Sequence, residues 1–259
     1  VQLHYREYGR RAPDRPGIVL LHGLFGSATN WHSIARRLEG RFHLLVPDLR
    51  NHGRSPHLPV MDYPVMAGDV MDLLERLRLE QVLVVGHSMG GKVAMWLALE
   101  QPERVHGLVP VDIAPVRYSH DFDTILGALE SLDLTSLKDR TEADRLLAAT
   151  LESPGLRAYL LQNLVKGTRG WAWRVNLAAL RHDMQALQAF PATPRGRQFT
   201  GNTLFIHGGR SDYLGAPQAA AARRLFPHAR MRVIPEAGHW VYSEAPAAFL
   251  AALEQALPV

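Results

Sequence analysis

At 259 residues, 47% apolar and 21% charged, the chain is long enough for one large hydrophobic core and too apolar for a disordered or collagen-like polymer. No apolar run approaches the roughly 18 residues of a membrane span, and the absence of cysteine excludes disulfides, thiolate metal sites and a cysteine nucleophile. The net charge of +4 rests almost wholly on arginine, since lysine occurs only at Lys92, Lys138 and Lys166; the charges are scattered, with no basic run carrying interleaved aromatics, which argues against a nucleic-acid surface.

In chain order, the opening VQLHYREYGR lacks the basic-then-apolar order of a signal peptide, which makes a cytoplasmic location the expectation. Within it Val1, Leu3 and Tyr5 alternate with Gln2, His4 and Arg6, the pattern of an antiparallel edge strand with one wet face. The short apolar runs are GIVLLHG from Gly17, FHLLVPD from Phe42, QVLVVGH from Gln81, VHGLVPVDI from Val105, NTLFIHG from Asn202 and ARMRVIPEAGH from Ala229. They alternate with amphipathic stretches, which predicts parallel strands linked by crossover helices. One such helix carries the stripe Met66, Val70, Leu73, Leu74 and Leu77. A second spans about Met89 to Glu100 and is stopped by Pro102. From 117 to 191 the alternation gives way to helical patterns, DFDTILGALESL, EADRLLAATL, LRAYLLQNLV and VNLAALRHDMQALQAF, without a convincing strand. This segment is expected to be a helical cap inserted into a core of residues 1–116 and 192–259, joined through the polar, proline-containing connectors IAPVRYSH and PATPRGRQFT.

The strand candidates end in glycine, proline, histidine or aspartate, and ligands of open α/β sheets bind beyond those carboxyl ends. The sharpest ending is VVGHSMGGK, where a strand runs directly into Gly86-His87-Ser88-Met89-Gly90 and then into a helix. This is G-x-S-x-G in its strand-to-helix setting. A turn so tight brings the positions flanking the serine into near contact, which glycine tolerates, and it lifts the Ser88 hydroxyl above the sheet. The amide of Met89 then lies at a helix N-terminus, where unpaired N–H groups and the dipole favour an oxyanion. Serine needs a base, usually a histidine oriented by a carboxylate. His239, in GHW between the last strand and the last helix, is the one of thirteen histidines whose element order places it near Ser88. A second oxyanion donor is expected from LLHGLFGS, where Gly23 permits close backbone approach and Leu24 supplies the amide, with Phe25 as the alternative. His22 is expected to brace that loop by hydrogen bonding, and Asp48, Asn51 and Gly53 of PDLRNHGRS to shape a second turn on the same edge. No HExxH pair or other helix-spaced ligand set is present, so no metal site is expected.

HGLFGS, DLRNHGRS, GHSMGGK, DIAP and GHW, in that order, resemble the α/β-hydrolase superfamily and specifically its YbfF-type esterase branch. The likeness covers nearly the whole chain apart from the cap, where only helicity is similar. It implies an α/β fold with a mostly parallel eight-stranded sheet flanked by helices, a helical cap over the site, and hydrolysis of carboxylic esters without a metal or organic cofactor.

Two aspartates fit the order serine, acid, histidine: Asp112 in PVDIAP and Asp212 in HGGRSDY. In most members of the superfamily the acid lies three residues beyond the glycine that ends the penultimate strand. Counting from Gly208 reaches Ser211, and counting from Gly209 reaches Asp212. In the esterases of the resembled branch that loop carries serine in a GGxS pattern and the acid belongs to the DIAP-like segment. By that analogy Asp112 orients His239 and Ser211 adds a hydrogen bond, with Asp212 as the alternative acid. Small to medium carboxylic esters are the expected substrates. Thioesters, other acyl compounds and a hydrolase-like ligand-binding role stay open, because fold and triad do not fix the leaving group. An acidic carrier protein as partner finds no clustered basic patch to support it. Tyr118, Phe122, Trp171 and Trp173 of the cap are candidates to line an acyl pocket, against the plainer reading that aromatic residues on helices belong to the core.

Overall fold

The computed structural model describes residues 1–12, 15–168, 170–194 and 196–257. In chain order these form β1 (Tyr5–Tyr8), β2 (Gly17–Leu21), α1 (His32–Leu38), β3 (Leu44–Pro47), α2 (Tyr63–Arg76), β4 (Val82–His87), α3 (Met89–Glu100) and β5 (Val105–Val111). Next come α4 (Phe122–Glu130), α5 (Arg140–Leu147), α6 (Pro154–Leu161), β6 (Leu164–Gly167), β7 (Gly170–Trp173) and α7 (Leu177–Gln188). The chain then closes the sheet through β8 (Asn202–Gly208), α8 (Ala216–Leu225), β9 (Arg230–Ile234), α9 (Val241–Glu244) and α10 (Pro246–Leu253). Arg195, in the expected connector PATPRGRQFT, lies outside the described residues.

The main sheet has the order β1-β3-β2-β4-β5-β8-β9, with β1 antiparallel to β3 and every other pairing parallel. Its inner strands β2 and β4 are buried along their whole length, as strands covered on both faces must be, and this is why they read as unbroken apolar runs. One face packs on α2 and α3, the other on α1, α9 and α10. Helix α2 starts at Asp62, whose side chain accepts from the Val65 amide at 2.9 Å, and buries Met66, Val70, Leu73 and Leu74 of the expected stripe.

Three expectations require correction. The main sheet has seven strands among the described residues, not eight: a single antiparallel strand, β1, occupies the edge beside β3. That strand begins at Tyr5, where the alternation was expected to end, because the backbone before it is engaged elsewhere. The His4 amide donates to Ser55 Oγ at 2.9 Å and its carbonyl accepts from the Asp48 amide at 2.8 Å. The excursion between β5 and β8 is also not purely helical. Its strands β6 and β7 pair antiparallel from Leu164↔Trp173 to Gly167↔Gly170, so Trp171 and Trp173 stand on a hairpin instead of a helix.

The chain order places the site. From β2 it moves outward to β3, then returns across β2 to β4, so the loops leaving β2 and β4 diverge at a topological switch point. The loops after β2 and β3 are tied together there by buried histidines. The Leu49 amide donates to His22 Nε2 at 2.9 Å, which leaves Nδ1–H to donate to the Gly23 carbonyl at 2.8 Å. The Phe25 amide donates to His52 Nε2 at 3.1 Å, and His52 Nδ1 donates to the Arg50 carbonyl at 3.0 Å. Asp48 accepts from the amides of Ala28 at 2.6 Å and Arg54 at 2.9 Å. Arg50 makes a two-pronged buried pair with Asp69 of α2, at 2.5 and 2.7 Å, and so fixes the loop after β3 to the helix layer.

Two outcomes follow from this bracing. Asp69→Ala leaves the Arg50 guanidinium buried without its counter-ion, and denaturant titration is expected to show a loss of about 3–5 kcal/mol. Burial holds the His22 imidazole below its ordinary pKa and pushes that of His52 down to about 3. Both are neutral in the fold while the unfolded chain takes up protons below about pH 6.5, so this stability is complete above that pH and is lost as pH falls toward the folded values. For His52 alone the loss at pH 5 is about 2 kcal/mol. Urea midpoints at neutral pH and at pH 5 should differ accordingly, and a His52→Gln variant should show a smaller difference.

Candidate active site

Ser88 sits between β4 and α3 with φ 51° and ψ −118°. Its amide donates to the Val111 carbonyl at 3.0 Å, and its own carbonyl accepts from the Gly91 and Lys92 amides at 2.9 and 3.1 Å. The turn is as tight as the sequence requires: a Cβ at Gly86 would lie 2.1 Å from the Gly90 carbonyl oxygen, and one at Gly90 would lie 2.5 Å from that of Leu21. The serine side chain opens on a cavity of about 30 Å³ whose walls include Leu24, Met89, Lys92, Tyr118, Phe122 and Tyr213. Trp171 and Trp173 are not among its walls.

His239 Nδ1 lies 2.7 Å from Asp112 Oδ2. Asp112 follows β5 directly, is 1% exposed and has φ 53°. The carboxylate also accepts from Ser211 Oγ at 2.5 Å and from the Gly208 amide at 3.0 Å. With Nδ1–H committed to Asp112, the other ring nitrogen, Nε2, is left as the acceptor. The alternative acid, Asp212, is exposed on the surface and, among the described residues, makes no hydrogen bond to the imidazole. The register explains this: β8 ends at Gly208, so the position three residues on is Ser211.

Among the described residues no hydrogen bond joins the Ser88 hydroxyl to the imidazole. The two are brought together through their neighbours. His87 donates through Nε2 to the His239 carbonyl at 2.9 Å, and burial holds its ring well below the ordinary histidine pKa. Tyr213, a wall of the Ser88 cavity, stacks on the His239 ring with centroids 3.9 Å apart. A serine–base hydrogen bond is often long in an unliganded site and tightens with substrate.

Of the expected oxyanion donors, the amides of Leu24 and Met89 give no hydrogen bond to a protein acceptor among the described residues. Their loops approach closely, since a Cβ at Gly23 would lie 3.3 Å from that of Ser88. Phe25, the alternative donor, is corrected: its amide is already used by His52. The carbonyls of the same loop are held from α6 and the turn after it, with Tyr159 Oη donating to Leu24 at 2.9 Å and Asn163 Nδ2 to Phe25 at 2.6 Å.

Several contributors escape a reading of the sequence. Glu244 accepts from the amides of Gly238 at 2.7 Å and Trp240 at 3.0 Å, gripping the backbone on both sides of His239; its place four residues after Trp240, at the end of a short helix, was the available signal. Tyr213 follows directly on the contested Ser211-Asp212 pair. Lys92, read only as one of three lysines, lines the cavity one helical turn beyond Ser88, a position that i, i+4 spacing predicts.

Comparisons with known proteins identify the family. A family model described as the alpha/beta hydrolase fold matches residues 16–246. The chain is 40% identical over 247 residues to the sn-1-specific diacylglycerol lipase ABHD11 of Mus musculus, covering 92% of this chain and 80% of that protein. It is 36% identical over 241 residues to esterase YbfF of Escherichia coli strain K12, covering 93% of this chain and 92% of that one. A solved marine microorganism esterase superposes with a TM-score of 0.94 at 33% identity, covering 99% of each chain. The chain therefore belongs to the α/β-hydrolase family, in its YbfF-type esterase branch.

Proposed function

We propose that the protein is a serine carboxylesterase that hydrolyses small to medium carboxylic esters through an acyl-enzyme intermediate. The observation that carries this reading is the placement of the Ser88 hydroxyl on the wall of an apolar cavity, at the N-terminus of α3, on the same sheet edge as an imidazole–carboxylate pair 2.7 Å apart. His239 Nε2 takes the Ser88 proton as Oγ attacks the ester carbonyl. The C=O π electrons move onto oxygen, and the amides of Met89 and Leu24 hold the resulting oxyanion. The imidazolium, stabilised by Asp112, returns the proton to the departing alkoxide, which leaves as the alcohol. Water then attacks the acyl-enzyme with His239 again as base, releasing the acid and restoring Ser88. Ser211 and the Gly208 amide hold the Asp112 carboxylate in orientation for the imidazole.

The segment between β5 and β8 acts as the cap, since Tyr118, Phe122, Leu187 and Gln188 from it close the cavity over Ser88. The lipase and esterase names of its relatives support an acyl ester as substrate, and the small apolar cavity favours a short acyl group in the resting protein.

Ser88→Ala is expected to abolish hydrolysis of a nitrophenyl ester while leaving the thermal transition largely in place; retained turnover would refute the nucleophile assignment. Asp112→Asn should lower kcat on the order of 10⁴-fold, as loss of the orienting carboxylate does in other triads, whereas Asp212→Asn should stay within a few-fold of wild type. Assaying matched esters and thioesters side by side separates esterase from thioesterase preference.

A further inference from the structure

We infer that Lys92 sets the acyl-length preference of the enzyme by latching the end of α7 over the acyl pocket. The inference rests on the esterase reading above. Lysine is seldom fully buried without a partner, yet Lys92 is 2% exposed, and among the described residues no carboxylate forms a salt bridge with it. Its Nζ donates instead to the carbonyls of Gln188 at 2.9 Å and Ala189 at 2.7 Å. The remaining side of the ammonium lies over two aromatic rings, 5.0 Å from the centroid of Tyr118 and 5.5 Å from that of Tyr63.

These acceptors are the last carbonyls of a helix, which have no partner within it and carry its negative pole. A cation delivered from another element satisfies both needs. Two further donors complete the latch: Tyr63 Oη donates to the Leu187 carbonyl, and the Tyr118 amide to that of Gln188 at 3.0 Å. Three consecutive carbonyls, the last two of α7 and that of Ala189 capping it, are thus gathered by the core and the segment after β5. Leu187 and Gln188 are also walls of the cavity that Ser88 and Lys92 line. The contact that closes the helix end therefore fixes how far that wall stands from Ser88, and with it the length of acyl group that the latched pocket admits.

The latch is also sensitive to pH. Burial, with the nearby positive charge of Arg117, lowers the Lys92 pKa to about 7. The other titratable groups facing it are Tyr63 on α2, Tyr118 and His120 after β5, and Tyr213 after β8. Burial raises the pKa of all three tyrosines, so they stay neutral, and burial lowers that of His120. Deprotonation above neutral pH removes the attraction between the ammonium and the helix pole, which loosens the wall.

The test is a series of p-nitrophenyl esters from acetate to decanoate, assayed with wild type and Lys92→Met, with thermal unfolding recorded for both. Lys92→Met keeps an unbranched side chain and removes the donors. It is expected to raise the octanoate-to-acetate ratio of kcat/KM by roughly tenfold or more, the scale of a few added methylene contacts. A ratio within about twofold of wild type in the folded variant, or an equal fall at every chain length, would overturn the inference. Should the variant fail to fold, wild type alone decides: its ratio should climb between about pH 6 and about pH 8.5, and a flat ratio overturns the latch. Wild type that turns over none of these esters sinks the esterase reading itself. Normal wild-type turnover with an unmoved ratio sinks only the role of Lys92.

Discussion

The site depends on a backbone contact more than on any side chain. Between β4 and α3 the chain reverses so sharply that Gly86 and Gly90 meet, and neither position has space for a methyl group. That contact forces Ser88 into positive φ and points its hydroxyl away from the sheet, while α3 begins at the next residue with its first amides unpaired. The proposed nucleophile and the proposed oxyanion donor are thus products of one turn. Loosening the turn would misplace both together, and distances of this kind decide whether a positioned hydroxyl reacts.

The same economy extends along the edge of the sheet. Phe25, Asn51, Ser88 and Asp112 all have positive φ, and they lie on the loops that follow β2, β3, β4 and β5. A non-glycine residue held there costs about 1–3 kcal/mol and persists only where its surroundings over-determine it. Those surroundings are visible. His52 and Asn163 hold the two sides of the Phe25 peptide, Asn51 accepts from the Leu58 amide and the Asn176 side chain, and Asp112 is fixed by Ser211, Gly208 and His239. Neutral buried histidines suit this work, because each offers one donor and one acceptor without the desolvation cost of a charge.

What could be read from the sequence follows the range of the forces involved. The inner strands were legible because burial on both faces leaves an unbroken apolar run, and α3 because its ends are marked by Ser88 and Pro102. The Ser88 turn was legible because its steric demand is written within five residues. The acid was not. Asp112 and Asp212 differ only in which loop meets His239, and that turns on β8 ending at Gly208 instead of Gly209, a one-residue matter of sheet register. The hairpin of β6 and β7 escaped because strands of four residues, half of them exposed, leave too little pattern to distinguish from a helix end. Glu244 and Lys92 escaped for a further reason: their partners are backbone groups, to which sequence patterns are blind.

That blindness bears on how the excursion between β5 and β8 is joined to the core. Side chains that grip carbonyls and amides do not require a particular partner residue, only a partner element at the right height. Tyr159, Asn163 and Asn176 reach from the excursion between β5 and β8 to the backbone or side chains of Leu24, Phe25 and Asn51, and Lys92 reaches from the core to the end of α7. The residues at the far end of most of these contacts can change without breaking them. A fold joined in this way keeps the geometry of the Ser88 turn while the cavity wall above it is free to change, so under the proposed function the two can be altered separately.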